Sequence, residues 1–232
     1  MEEEITQTPS ENEAKEQITE QQPANKKRRA GEVIANYFTA TRVAYMAVFT
    51  ALSFILRMPL FEFPIIPAVP YLKIDFSGVF ALIAGFSLGP VAGIIVSVLK
   101  EVLYGLSFTQ TFGVGEVANI LIMLPYILIP SIVYKKHKGI KTVLITVSIG
   151  CVAQTIFSIP VNYLLTFPFF LNVSYGMSWT DGMQAYLGVW YWALLFNFVK
   201  CVLLTVAVFI LYKSISRLIK ITNEKFTKRN KR

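Results

Sequence analysis

Between about residues 42 and 212 the chain is a succession of apolar runs, and that succession restricts it to one kind of fold. A helix that crosses a bilayer needs roughly 20 mostly apolar residues, fewer where neighbouring helices shelter it. Such runs cover Arg42–Leu60, Phe76–Leu88, Val91–Leu103, Gly115–Tyr134, Thr142–Leu171 and Val189–Tyr212. A soluble core cannot hide this much apolar surface: 54% of the 232 residues are hydrophobic and mean hydropathy is +0.54. The expected fold class is all-α, an integral membrane bundle of six transmembrane helices.

The joints between runs carry their own signals. FEFPIIPAVPYLKID (Phe61–Asp75) contains Pro64, Pro67 and Pro70 and predicts an ordered, non-helical loop. Gly89-Pro90 predicts a tight helical hairpin between the second and third runs. Pro160 and Pro168 are expected to bend or end the fifth.

The net charge of +8 is distributed unevenly. Residues 1–36 begin acidic, polar and poor in aromatics, the composition of a disordered tail, and then turn basic at Lys26–Arg29. Basic residues return at Lys135–Lys141 and from Lys213 to Arg232, so residues 37–220 read as the membrane domain and 221–232 as a basic tail. Each basic cluster borders an apolar run, where the positive-inside rule expects it, so nucleic acid is not an expected partner and membrane lipid is. With six passes, all three clusters fall on one side, giving a multi-pass membrane protein with both termini cytoplasmic. The proline-rich loop, Ser107–Phe112 and Asn172–Gly188 then fall outside, with Trp179, Trp190 and Trp192 as interfacial anchors. The acidic start is the reverse of a signal peptide. Cys151 and Cys201 lie in separate apolar runs, so no disulfide framework is expected, and the single histidine, His137, argues against zinc.

Several polar residues sit where a bilayer penalises them by several kcal/mol unless they are paired or face a polar cavity. They are Lys73 and Asp75 before the second run, Lys100 and Glu101 in the third, Glu116 and Asn119 in the fourth, Asn162 in the fifth, and Asn197 and Lys200 in the sixth. Lys73, Asp75, Glu101 and Glu116 are also compatible with a wet interface, where Asp75 and Glu116 would complement helix N-termini. Asn197 and Lys200 are three apart and share a helix face. Eleven residues into the run, roughly 16 Å, Lys200 is too deep to snorkel easily. Two readings remain for it: an interhelical salt bridge or a ligand cavity. Ala40, Ala44, Ala47 and Ala51 form a small-residue strip along the first run, suited to close approach by another helix.

Tyr71–Leu103 (YLKIDFSGVFALIAGFSLGPVAGIIVSVLKEVL) together with Gly113–Asn119 (GVGEVAN) resembles the substrate-binding subunits of energy-coupling factor transporters. Asn162–Phe170 (NYLLTFPFF) and Asn197–Lys200 (NFVK) are most similar to the riboflavin-specific branch. The resemblance spans about Ala44 to Tyr212. One departure is Gly78, where an acidic residue is expected after Asp75-Phe76-Ser77. The resemblance implies six helices, a vitamin site opening outward, and partner chains: a transmembrane coupling subunit that grips Ala47 and Ala51, and two ATPase subunits. No GxxxxGK[ST] loop occurs, so ATP hydrolysis is expected in those partners. No cofactor is expected; riboflavin is the transported ligand.

Riboflavin chemistry suits the polar set. Its flat ring system needs an apolar slot, and its pyrimidine edge alternates acceptors with one N–H. Asn162 and Asn197 each offer donor and acceptor, and Lys200 adds a charge-assisted donor. Asn119 belongs to the same set, and Lys73 and Asp75 stand near the loop expected to meet the ribityl hydroxyls. The alternatives are a subunit of the same type for pantothenate or a queuosine precursor, and a membrane scaffold or lipid-metabolising enzyme. An enzyme would require paired carboxylates, a Ser/His set or a metal cluster facing one cavity, and the sequence suggests none.

Overall fold

The structure, a computed structural model, describes residues 37–64, 73–109 and 111–229, with side chains described as far as Tyr212. The tail expected over residues 1–36 and the centre of the proline-rich loop (65–72) lie outside the described residues. So do the side chains of the C-terminal basic cluster. Two units are distinguished, residues 1–43 and 44–232. In the first, the Arg42 guanidinium lies 4.6 Å over the Tyr37 ring and the Arg42 N–H donates to Thr39 Oγ1.

The helices are α1 (Ala40–Arg57), α2 (Gly78–Leu88), α3 (Pro90–Phe108), α4 (Val114–Lys136), α5 (Ile140–Val161), α6 (Phe167–Tyr175) and α7 (Trp179–Arg229). A π-helical stretch, Asn162–Thr166, joins α5 to α6, so these form one membrane pass of 36 residues. Five passes among the described residues are long and apolar enough to cross a membrane; α2, of 11 residues, is the short sixth. A short turn, Pro59–Phe61, follows α1, and a two-residue antiparallel pair, β1 (Phe63–Pro64) with β2 (Lys73–Ile74), closes the intervening loop at its base. The fold class is the expected all-helical membrane bundle.

The short α2 is possible because it is the hub. At ~1.5 Å per residue it is about 16 Å long, too short to span, and all its residues but Phe80 are buried against α3, α4 and α7. The hairpin at Gly89-Pro90 forms as the sequence predicts. Gly89 has φ +106, a conformation that favours glycine, and Pro90 opens α3 at a position where its missing N–H costs nothing. Gly93 brings α3 against α2: a β-carbon there would stand 2.9 Å from the Ala81 carbonyl oxygen. At Gly78, the departure from the family pattern, a β-carbon would meet the Met123 Cε of α4, so a side chain there requires that flexible methionine tip to move.

Burial runs opposite to that of a soluble protein. Ile149, Ile156 and Ile210 face outward, more than half exposed, while Ser53, Gln154 and Ser158 are buried. Lipid solvates the apolar faces, so the interior can carry the polar groups.

Two expectations about boundaries are refined. The external connection between the fifth and sixth runs, Asn172–Gly188, is itself mostly helical: α6 reaches Tyr175, Gly176 ends it with φ +66, and α7 starts at Trp179, ten residues before the apolar run. Lys200, eleven residues into the apolar run, is therefore 21 residues into α7. Of the two outcomes expected at Pro160 and Pro168, bending or ending the fifth pass, they do not end it. A π-helical turn lies between them, with the Phe167 N–H reaching back to the Asn162 carbonyl.

Candidate functional site

A cavity of about 250 Å³ opens at the end of the bundle where α1 and α3 finish and α4 begins. The opposite end carries the Gly89-Pro90 turn and the basic loop after α4. The cavity floor is polar. Asn162 reaches it from the π-helical turn, Asn197 and Lys200 from one face of α7, and Asn119 from α4. Its apolar wall comes from Ile122 of α4, Phe169 and Phe170 of α6, and Phe196 of α7. Charged residues complete it: Arg57 ends α1, Glu62 precedes β1, Lys73 opens β2, and Glu116 lies in the first turn of α4.

Local structure explains how the amides are aimed. Asn162 donates through Nδ2 to the Ser158 carbonyl at 2.8 Å, and Asn197 donates through Nδ2 to the Ala193 carbonyl, also at 2.8 Å. Each bond returns to the preceding turn of its own helix and fixes the rotamer. Each Oδ1 is then left to accept a hydrogen bond from something in the cavity. The wider turn at Asn162–Thr166 brings Asn162, 1% exposed, inside the bundle.

Behind the floor lies a network of buried charges. Lys200 Nζ contacts Asp75 Oδ2 at 3.0 Å and Asn119 Oδ1 at 3.3 Å. Asp75 precedes α2; its other oxygen accepts from the backbone N–H of Ser77 at 3.0 Å and from the Ser77 hydroxyl. Burial alone would raise the Asp75 carboxyl, but Lys200, Arg57 and Lys100 hold it well below the usual carboxylate range. Lys100 Nζ donates to Ser77 Oγ at 2.6 Å and pairs with Glu101 at 2.7 Å. Glu101, fully buried, also meets Arg57 at 3.4 Å and accepts from Asn119 Nδ2. Arg57 pairs with Glu62, lies 3.5 Å from Asp75, and stacks over the Tyr104 ring at 4.3 Å. Lys73 pairs with Glu62 at 3.1 Å.

These bonds tie α1, the β pair, the start of α2, α3, α4 and α7 to one another. Removing a buried ion from such a set leaves its partner uncompensated, at a cost of about 3–5 kcal/mol. The network holds its members in single orientations, and an ordered set of donors and acceptors is what a ligand site requires.

Of the residues singled out from the sequence, Lys73, Asn119, Asn162, Asn197 and Lys200 all line the cavity. Asp75 does not line it and stands behind Lys200. The two readings of Lys200 turn out not to exclude each other, since it makes an interhelical ion pair and also faces the cavity. Arg57, Glu62 and Tyr104 were not anticipated. A basic residue at the end of an apolar run, followed five positions later by Glu62, was the available signal. Ala47 and Ala51 lie on a different surface, exposed on α1 with Val48 and Ile55.

Residues 41–212 match the protein family described as ECF transporter, substrate-specific component. The chain is 28% identical over 181 residues to the riboflavin transporter RibU of Staphylococcus aureus, covering 77% of this chain and 92% of that protein. It is 35% identical over 129 residues to the riboflavin transporter FmnP of Bacillus subtilis, covering 55% and 67% respectively. Among solved structures it resembles the S component of a bacterial ECF transporter, with a TM-score of 0.62 and 30% identity over 78% of this chain and 98% of the other.

Proposed function

This chain belongs to the substrate-specific components of energy-coupling factor transporters, and we propose that it is a riboflavin-capturing member, binding the vitamin outside and delivering it inward. Like its family it is a multi-pass membrane protein and a binding subunit, not an enzyme. The observation that carries the riboflavin reading is the convergence of Asn162, Asn197 and Lys200 on one cavity with an aromatic wall. Each amide offers an Oδ1 acceptor and a second Nδ2 N–H donor, and Lys200 an ammonium, to an edge that alternates acceptors with one N–H, and Phe169, Phe170 and Phe196 offer a surface for a flat ring system. Relatives whose names specify riboflavin support the same ligand.

Asn119 positions Lys200 and Lys73 faces the ribityl end, while Asp75 acts through Lys200 rather than by touching the vitamin. The test is direct. The full chain purified from riboflavin-replete cells carries a yellow flavin and quenches riboflavin fluorescence on titration. Colourless protein that leaves riboflavin fluorescence unchanged but binds another vitamin overturns the reading.

Uptake requires the energy-coupling partners, a transmembrane coupling subunit and two ATPases. The exposed Ala47 and Ala51 form the surface for close helix approach. Ala47→Trp or Ala51→Trp is expected to abolish uptake while flavin binding persists; normal uptake by both variants would move the partner surface elsewhere. Both termini are cytoplasmic in this scheme, motivated by the one-sided basic clusters. A reporter fused after Lys138 that scores as external would contradict it.

A further inference from the structure

The charged groups at the cavity and in the network behind it are balanced. Arg57, Lys73, Lys100 and Lys200 supply four positive charges, and Glu62, Asp75, Glu101 and Glu116 four negative ones. Seven of the eight are joined by the ion pairs already described. Glu116 is the exception. It is 6% exposed and lines the cavity, its carboxylate accepts from the Thr111 hydroxyl at 2.9 Å, and no lysine or arginine among the described residues pairs with it.

We propose that Glu116 is a specificity-determining residue that favours an uncharged, hydroxyl-bearing ligand in the cavity over its phosphorylated form. The inference rests on the flavin reading above and extends it to the choice between riboflavin and its phosphate, FMN. A buried carboxylate is acceptor-only, so it welcomes a ligand O–H. A phosphate monoester carries a charge of about −1.5 to −2 at neutral pH. Every cation at the cavity already has its carboxylate, so phosphate would have to break an existing pair to gain one. It would also meet Glu116 in a buried place where salt screens poorly.

The N-terminal turn of the 23-residue α4 would otherwise be the natural seat for an anion. Glu116 already occupies that turn with its own negative charge. If Glu116 served only to cap α4 and order Thr111, its loss would affect both flavins alike.

The test is fluorescence titration of the detergent-purified full chain with riboflavin and with FMN, read as the ratio of the two Kd values. The parent is expected to favour riboflavin about tenfold or more. Glu116→Gln keeps an acceptor for Thr111 but removes the charge, and should lower the FMN-to-riboflavin Kd ratio about tenfold. Glu116→Asp should keep the parent's ratio. Lys73→Gln removes a cation and should move the ratio the opposite way, and this carries the test if Glu116→Gln fails to fold. A Glu116→Gln protein in which both affinities change by the same factor overturns the proposal, as does a Lys73→Gln protein whose ratio stays constant or falls. A parent that binds riboflavin but accepts FMN equally overturns it while leaving the riboflavin reading intact. A parent that binds neither flavin overturns both.

Discussion

At the end of the bundle where α2 turns into α3, the interior is made of rings and aliphatic side chains. Phe86 and Tyr134 pack with centroids 4.8 Å apart, Tyr212 meets Tyr134 edge-on at 6.2 Å, and their two hydroxyls bond to each other at 2.9 Å. Val143, Val147 and Val208 are buried in the same apolar core. At the cavity end, the space between helices is filled by Arg57, Asp75, Lys100, Glu101 and Lys200. Both ends bury their side chains thoroughly, yet among the described residues only one buries charge. Folding stability alone does not favour that choice, because a buried ion pair is often no better than an apolar pair of the same size. A membrane interior makes ionisable residues rarer still, and where they persist they tend to mark a site. The aromatic end therefore supplies stability, and the charged end trades some of it for an ordered set of polar groups facing a cavity.

The largest effect is expected where the charged end is broken at its centre. Glu101→Ala would leave Lys100 without its carboxylate and deprive Arg57 of one of its partners, costing about 3–5 kcal/mol. Thermal melts and the monodisperse fraction in detergent check this. A melting temperature equal to the parent's would mean that the network contributes little to holding the helices together.

An intermediate effect separates structure from ligand chemistry at the Asp75–Lys200 pair. Asp75→Leu alone should destabilise the protein strongly, because it strands a buried ammonium. Adding Lys200→Met should restore most of that stability, since the pair is then replaced as a unit, while riboflavin binding stays weak. Melts and flavin titrations on the single and double variants decide it. Binding that recovers together with stability would make Lys200 a structural residue only.

The smallest effect belongs to the aromatic end. Tyr212→Phe removes one interhelical hydrogen bond and should cost about 0.6–1 kcal/mol. Its flavin affinity should match the parent's, because Tyr212 is outside the cavity lining. A marked loss of affinity would show that the two ends are not independent.

The difference between the ends also explains what sequence reasoning reached. The passes and the Gly89-Pro90 hairpin follow from local chemistry: apolar length, and a glycine–proline step that stops one helix and starts another. Asn197 and Lys200 stand out because three residues on one helix are neighbours, whatever the rest of the fold does. Arg57 and Glu62 escape notice because their meaning depends on Tyr104 and Glu101, more than 40 positions away. Charges near the ends of apolar runs resemble interface residues, and only the packing of α2 as a buried hub shows that Asp75, Lys100 and Glu101 are interior. The start of α7 is obscured because Trp179–Gly188 mixes interfacial aromatics with Asp181 and glycine, a composition that suits a loop as well as a helix end. The π-helical turn has no such local signature, since two prolines suggest a kink but not how the backbone resolves it.

The central claim is that the charged end is a riboflavin site and not merely an interhelical clamp. Fluorescence-quenching titration of Lys200→Ala against the parent, on monodisperse protein of verified helicity, addresses it most directly. Removing a charged partner of a buried polar ligand atom costs about 1.5–3 kcal/mol, so the account predicts a Kd at least about tenfold weaker in the folded fraction. Folded Lys200→Ala protein that binds riboflavin as tightly as the parent would contradict it.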